Sequence, residues 1–70
     1  MKEFELTKDH IELYKILKFE GMASSGAEAK IIVANGLVLV NGEVETRKRK
    51  KIVSGDIVEF DNEKIRIQLK

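Results

Sequence analysis

The chain has 70 residues, 43% hydrophobic and 36% charged with a formal net charge of +1, a globular composition for one thin domain. It has no cysteine and a single histidine, His10, which excludes disulfides, thiolate metal centres and multi-histidine metal sites. No apolar run approaches the roughly 18 residues of a membrane span, and the acidic start Met1-Lys2-Glu3-Phe4-Glu5 lacks the apolar stretch of a signal peptide, so the expected compartment is the cytoplasm.

Phe4 and Leu6 alternate with Glu3, Glu5 and Thr7, which predicts a short N-terminal strand with one buried face. Asp9 followed by Glu12 reads as a capping box, and Leu13, Ile16 and Leu17 then fall at helical spacing up to Gly21, predicting a helix over about 10–20. Lys8, Lys15 and Lys18 would lie near one exposed face of it, with Glu12 pairing to Lys15. Ser25-Gly26-Ala27-Glu28 is a second capping box. It predicts a helix over about 26–35, with Ala27, Ile31 and Ala34 on one face and Gly36 as the stop.

From Leu37 the period changes to that of strands. Leu37-Val38-Leu39-Val40 and Glu43-Val44-Glu45-Thr46 flank Asn41-Gly42, the strongest short-range hairpin signal because both central residues of a type I′ turn need positive φ. Ile52-Val53, Ile57–Phe60 and the alternating Ile65, Ile67 and Leu69 predict further strands, separated by turns at Ser54-Gly55-Asp56 and Asp61-Asn62-Glu63. The fold class is α+β: two helices packed on a small antiparallel or mixed β-sheet with a short N-terminal strand.

Between two of these strands lies Arg47-Lys48-Arg49-Lys50-Lys51. Residues 1–46 carry a net charge of −3 and residues 52–70 a net charge of −1, so all the excess positive charge sits in these five positions. Five adjacent cations repel one another, and a polyanion supplies the missing counter-charge. Contact with about five phosphates would give a log–log salt slope of about −3.5 to −4.5. Against this stands the plain reading of a solvated loop that keeps the protein soluble.

The other candidates have plain readings too. Ser24 and Ser25 are helix caps, and a capped helix N-terminus is also an anion site. Lys30, between apolar neighbours, either lays its stem along the core edge or reaches a phosphate. Asn41-Gly42 and Gly55-Asp56 are turn chemistry first. Phe4, Tyr14, Phe19 and Phe60 are scattered and most are needed for a thin core, so no aromatic stacking platform is expected. His10 has no nucleophile at motif spacing, and Asp56 and Glu59 form no acid/base pair.

The order of signals resembles a known family. The segment 21–30, then Asn35-Gly36-Leu37-Val38-Leu39-Val40-Asn41-Gly42, then Val53-Ser54-Gly55-Asp56-Ile57-Val58, is similar to the RNA-binding domain first described in ribosomal protein S-four and built on the alpha-L motif. That domain recurs in pseudouridine synthases, tyrosyl-tRNA synthetases and heat-shock RNA binders. The short length, the leading strand and Val44-Glu45-Thr46-Arg47-Lys48-Arg49 look like the stand-alone bacterial members of the YbcJ type.

The resemblance implies a single non-catalytic domain over residues 1–70 that binds structured RNA, ribosomal or transfer RNA, through the second helix and the adjacent hairpin. It implies no cofactor and no small-molecule substrate. Matched position by position, Ser25 and Lys30 fall on the second-helix motif and Asn41 on the hairpin. Many members carry Arg directly after the helix-opening Ser, where this chain has Gly26. That departure moves the expected contact toward Arg47, Lys48, Arg49, Lys50 and Lys51. The alternative is a protein–protein adaptor whose basic loop docks an acidic partner, for example on the ribosome.

Overall fold

A computed structural model describes residues 1–70. The elements in chain order are β1 (Lys2–Leu6), β2 (Ile11–Glu12), α1 (Leu13–Phe19), α2 (Gly26–Ala34), β3 (Leu39–Val40), β4 (Glu43–Val44), β5 (Lys51–Ile52), β6 (Ile57–Phe60) and β7 (Glu63–Leu69). A five-stranded sheet has the order β1-β7-β6-β3-β4, and β2 pairs with β5 in a separate two-stranded ribbon. The main sheet is mixed: β1 runs parallel to β7, with Phe4 opposite Ile67, and its other pairings are antiparallel.

The helix pair covers one face of the sheet. Leu13, Ile16 and Leu17 of α1 and Ala29 and Val33 of α2 meet Leu6, Val38, Val40, Val58, Ile65 and Ile67 from the sheet side, with Ile52 of β5 in the same cluster. Alternation along β7 explains its part, since Ile65 and Ile67 are buried while Lys64 and Arg66 face water. No helix is long and apolar enough to cross a membrane.

Both helices end in the same way. Met22 N–H donates to the Leu17 carbonyl and Gly21 N–H to that of Lys18, and Leu37 and Gly36 do the same with Ile32 and Val33. These are Schellman closures, and the left-handed residue they require is glycine in both, at φ +74° and +76°. At the start of α2, Ser25 Oγ accepts from Glu28 N–H as the sequence predicts, but the Glu28 carboxylate reaches back to Ser24 N–H rather than to that of Ser25.

Four expectations about the helices and strands need correction. First, α1 begins at Leu13 rather than near residue 10, and Asp9 caps nothing. Ile11 and Glu12 are drawn into pairing with Lys51 and Ile52, and the first free N–H groups of α1 are satisfied by carbonyls of a distant loop. Lys8 therefore lies off the helix. Second, α2 buries Ala29 and Val33, while Ile31 is 60% exposed and Ala27 and Ala34 face solvent. The sheet lies on the opposite side of α2 from the one periodicity suggested, because almost every position of this helix is apolar enough to be core. Third, the hairpin strands are shorter than expected: Leu37 N–H is bonded back to Ile32 of α2 and Val38 joins the hairpin only through its carbonyl, which accepts from Glu45 N–H, so β3 starts at Leu39 and β4 ends at Val44. Fourth, Val53 lies beyond β5, a short strand that belongs to the ribbon and not to the main sheet.

Asn41 and Gly42 form the tight turn between β3 and β4 with φ +52° and +85°, the paired positive values of a type I′ turn. The Asn41 side chain does more than tolerate that backbone. Its Nδ2 donates to Asp56 Oδ1 and its Oδ1 accepts from Ile57 N–H, both at 2.9 Å. Asp56 Oδ2 accepts in turn from Val53 N–H at 2.9 Å. One carboxylate thus ties the hairpin tip to the turn before β6. Asp56→Ala leaves two donors without this acceptor and is expected to cost about 1–2 kcal/mol of stability, read as a lower urea midpoint with an unchanged m-value.

Candidate nucleic-acid interface

The basic run is not a free tail. Arg47 C=O accepts from Lys50 N–H at 3.1 Å, closing a turn over 47–50. Two carbonyls of this turn point at the start of α1: Leu13 N–H donates to Lys50 C=O at 2.9 Å and Tyr14 N–H to Lys48 C=O at 3.1 Å. Helix α1 has no side-chain cap, and the loop backbone takes that place. With the carbonyls turned inward, the side chains of Arg47, Lys48 and Arg49 stand in solvent.

Two of the five cations already have partners. Arg47 grips Glu45 through Nε and Nη2 at 3.0 and 3.1 Å, and its own N–H donates to the same carboxylate. Arg49 donates through Nη1 to Glu12 at 3.1 Å, and Lys15 joins that carboxylate at 3.3 Å. The remaining ion pair of the chain, Lys2–Glu63, lies elsewhere. Lys48, Lys50 and Lys51 take part in none. The close-range repulsion inferred from the bare sequence is therefore partly offset by Glu45 and Glu12. Of these, Glu45 could be suspected from its place two residues before Arg47; Glu12, 37 positions from Arg49, could not.

Tyr14 joins the two cationic regions. Lys30 Nζ from α2 lies 4.8 Å from the centre of its ring, and the Arg49 guanidinium lies 5.7 Å from it. Contacts of this kind stabilise by about 0.5–1 kcal/mol at exposed sites, and they fix where long, mobile cations sit. Tyr14 also packs against the core, and nothing local in the sequence marks it as a platform for residues 16 and 35 positions away. Gly26 also lies on this ring: a Cβ there would stand 3.6 Å from Tyr14 Cε2, an ordinary contact that leaves room for a side chain.

The candidate residues thus separate into groups. Lys30 and Arg49 meet at Tyr14, with Lys48, Lys50 and Lys51 in the same loop as Arg49. Ser25 opens α2 one turn before Lys30, with its hydroxyl engaged by Glu28 N–H. Asn41 sits at the tip of the hairpin that leads into Glu45 and the loop, with both polar atoms of its side chain bonded to the neighbouring turn.

The ion pairs set a pH dependence. The double hydrogen bond from Arg47 holds the Glu45 carboxyl down at about 2, from an ordinary 4.5, and Glu45 in turn raises the Arg47 guanidinium. Partial burial pushes Glu12 up, but the hydrogen bonds and charges of Arg49 and Lys15 together outweigh it, so Glu12 also lies below its usual range. A depressed carboxyl stabilises the folded state above its unfolded value and loses that contribution as pH falls through its folded value. Stability from Glu45 should therefore be complete above about pH 4.5 and decline toward pH 2. Glu45→Gln should flatten that acid limb in denaturation curves taken across the interval, with little change in the shape of the curve near neutrality.

The comparisons with known proteins agree with this frame. The family model described as the S4 domain, the ribosomal S-four type, matches residues 4–68. YbcJ of Escherichia coli K12, whose name proposes RNA binding, is 50% identical over 68 residues, covering 96% of this chain and 97% of the relative. YbcJ of Shigella flexneri, named as uncharacterized, matches to the same extent. The solution structure of Escherichia coli YbcJ, described as revealing an alpha-L motif involved in RNA binding, superposes with a TM-score of 0.74 at 49% identity, over 97% of this chain and 87% of that one. The 30S ribosomal protein S4e of Thermoplasma acidophilum gives a TM-score of 0.69 at 28% identity over 84% of this chain, which corresponds to 31% of that larger protein. With a family model spanning residues 4–68 and half of all positions shared with relatives of the same length, this chain belongs to the S4 domain family.

Proposed function

We propose that this protein is a non-catalytic RNA-binding domain that grips structured RNA, ribosomal or transfer RNA, by its backbone phosphates. The observation that carries the reading is the meeting of Lys30 and Arg49 over Tyr14, which joins α2 and the basic loop into one cationic surface. Lys48, Lys50 and Lys51 extend that surface without acidic partners, and the capped start of α2 at Ser25 offers backbone N–H groups beside it. Asn41 acts by position, holding the hairpin from which the loop departs. The names of the relatives support RNA as the polyanion. The expected setting is the cytoplasm, in association with the ribosome.

Phosphate contacts place a protein on RNA without reading its sequence. Changing Arg47, Lys48, Arg49, Lys50 and Lys51 together to Gln should abolish binding of structured RNA at low salt in a variant that circular dichroism shows to be folded; unchanged affinity would refute the reading. The salt dependence separates two forms of it. Lys30, Lys48, Lys50 and Lys51 acting alone neutralise about four phosphates, a log–log slope of about −2.8 to −3.6 and a loss of roughly 50- to 150-fold between 50 and 200 mM salt. A slope of about −3.5 to −4.5 means that an arginine leaves its carboxylate for phosphate. Gly26→Arg adds a cation beside Tyr14 and Lys30 and should tighten binding while steepening the slope by about 0.7–0.9.

A second reading, the protein–protein adaptor, draws support from Ile31, Leu37 and Val44, apolar side chains of α2 and the hairpin that are each more than half exposed. A partner protein captured after nuclease treatment, and released by the same loop variant, would favour it.

A further inference from the structure

A groove of about 470 Å³ lies on the far side of Glu12 from the basic loop, between β1, the turn that follows it, and α1. Phe4, Leu6, Ile11 and Phe19 supply its apolar lining, and its charged lining is Lys8 and Lys15 with Glu5 and Glu12. Two rings that the sequence sets 15 positions apart come together here. Phe4 and Phe19 stack with centroids 6.1 Å apart and planes 18° from parallel. Phe4 is held against the core, whereas Phe19 is 62% exposed. The groove is thus lined by an open aromatic ring that stacks on a second ring, which for Phe4 and Phe19 corrects the expectation that the aromatics are scattered.

The groove is physically joined to the basic loop. Glu12 lines it and is bonded to both Arg49 and Lys15, so one carboxylate separates the loop from the groove and is itself neutralised by cations on either side. We infer that this groove takes an unpaired nucleotide of the bound RNA, with the base stacked on Phe19 and its phosphate drawn to Lys8, the groove lysine that no carboxylate pairs. Every base has a flat apolar face that suits such a ring regardless of sequence, and with Lys15 and Arg49 neutralising Glu12, Lys8 is left to meet a phosphate, a use that an apolar peptide would not make of it. The volume falls in the roughly 300–1,000 Å³ range of sites that hold compact ligands. The inference rests on the RNA-binding reading and adds that the RNA has a single-stranded segment next to the part gripped by the loop.

The test compares a blunt RNA duplex with the same duplex bearing a short single-stranded overhang, against the wild-type chain, Phe19→Ala and Phe19→Trp. Phe19 is mostly exposed, so both variants should fold, which circular dichroism checks. The wild type is expected to prefer the overhang RNA. Phe19→Ala should lose about 5- to 150-fold in affinity for that RNA and nothing for the blunt duplex. Phe19→Trp should keep the preference, and its fluorescence should be quenched when the overhang RNA is added. Equal binding of both RNAs by the wild type, or a Phe19→Ala variant that keeps the preference or weakens on both RNAs alike, overturns the inference while leaving the phosphate-binding surface standing. A wild type that binds neither RNA refutes the RNA-binding reading, and this inference with it.

Discussion

Two backbone hydrogen bonds, from Leu13 and Tyr14 at the start of α1 to the carbonyls of Lys50 and Lys48, hold the candidate interface together. Each stabilises by only about 0.5–1.5 kcal/mol, yet between them they decide where α1 begins, how the basic loop is turned and where Tyr14 stands. They also set a conflict. The N-terminus of a helix carries a partial positive charge, and cations are disfavoured there. The chain places five of them against that end and offsets part of the cost with Glu12 at the cap position and Glu45 on the return of the hairpin. What remains is positive potential on a loop whose backbone is hydrogen-bonded to itself and to the start of α1.

The rest of the sheet fixes the other end of that loop. Residues 45–50 leave the β3–β4 hairpin and enter β5, so both ends of the loop must be immobile for its turn to persist. Asp56 supplies the restraint on one side by bonding Asn41 and Val53 N–H at once, and pairing of β5 with β2 supplies it on the other. The parallel contact of β1 with β7 adds the edge strand of the sheet and carries Phe4 to the place where it can back Phe19. The aromatic groove and the cationic loop thus lie on opposite sides of Glu12, and each depends on strand pairings remote from it in sequence.

Local signals were the ones legible beforehand. Ser25 with Glu28, Gly21, Gly36 and Asn41-Gly42 act over a few residues, and each does in the fold what its chemistry predicts, to within one residue for the reciprocal cap on Ser24. The Asp9–Glu12 signal has the same form and fails, because Ile11 and Glu12, which would form its first turn, are drawn into pairing with β5, and the Glu12 carboxylate is used by Arg49 and Lys15. The face of α2 failed for a different reason: in Gly26-Ala27-Glu28-Ala29-Lys30-Ile31-Ile32-Val33-Ala34 the apolar positions surround the helix, so periodicity does not say which side meets the sheet.

The sequence by itself determined the α+β class, the closures of both helices, the hairpin at Asn41-Gly42 and the concentration of positive charge at 47–51, since these follow from backbone conformational preference and from charge along the chain. The tertiary structure alone decided that β1 pairs in parallel with β7, that Arg47 and Arg49 are partnered while Lys48, Lys50 and Lys51 are not, and that Lys30 and Arg49 share the ring of Tyr14. The physical reason is range. Capping and turn chemistry act across two to four residues, whereas a cation finds its carboxylate or its aromatic ring only after strands and helices distant in the chain have packed.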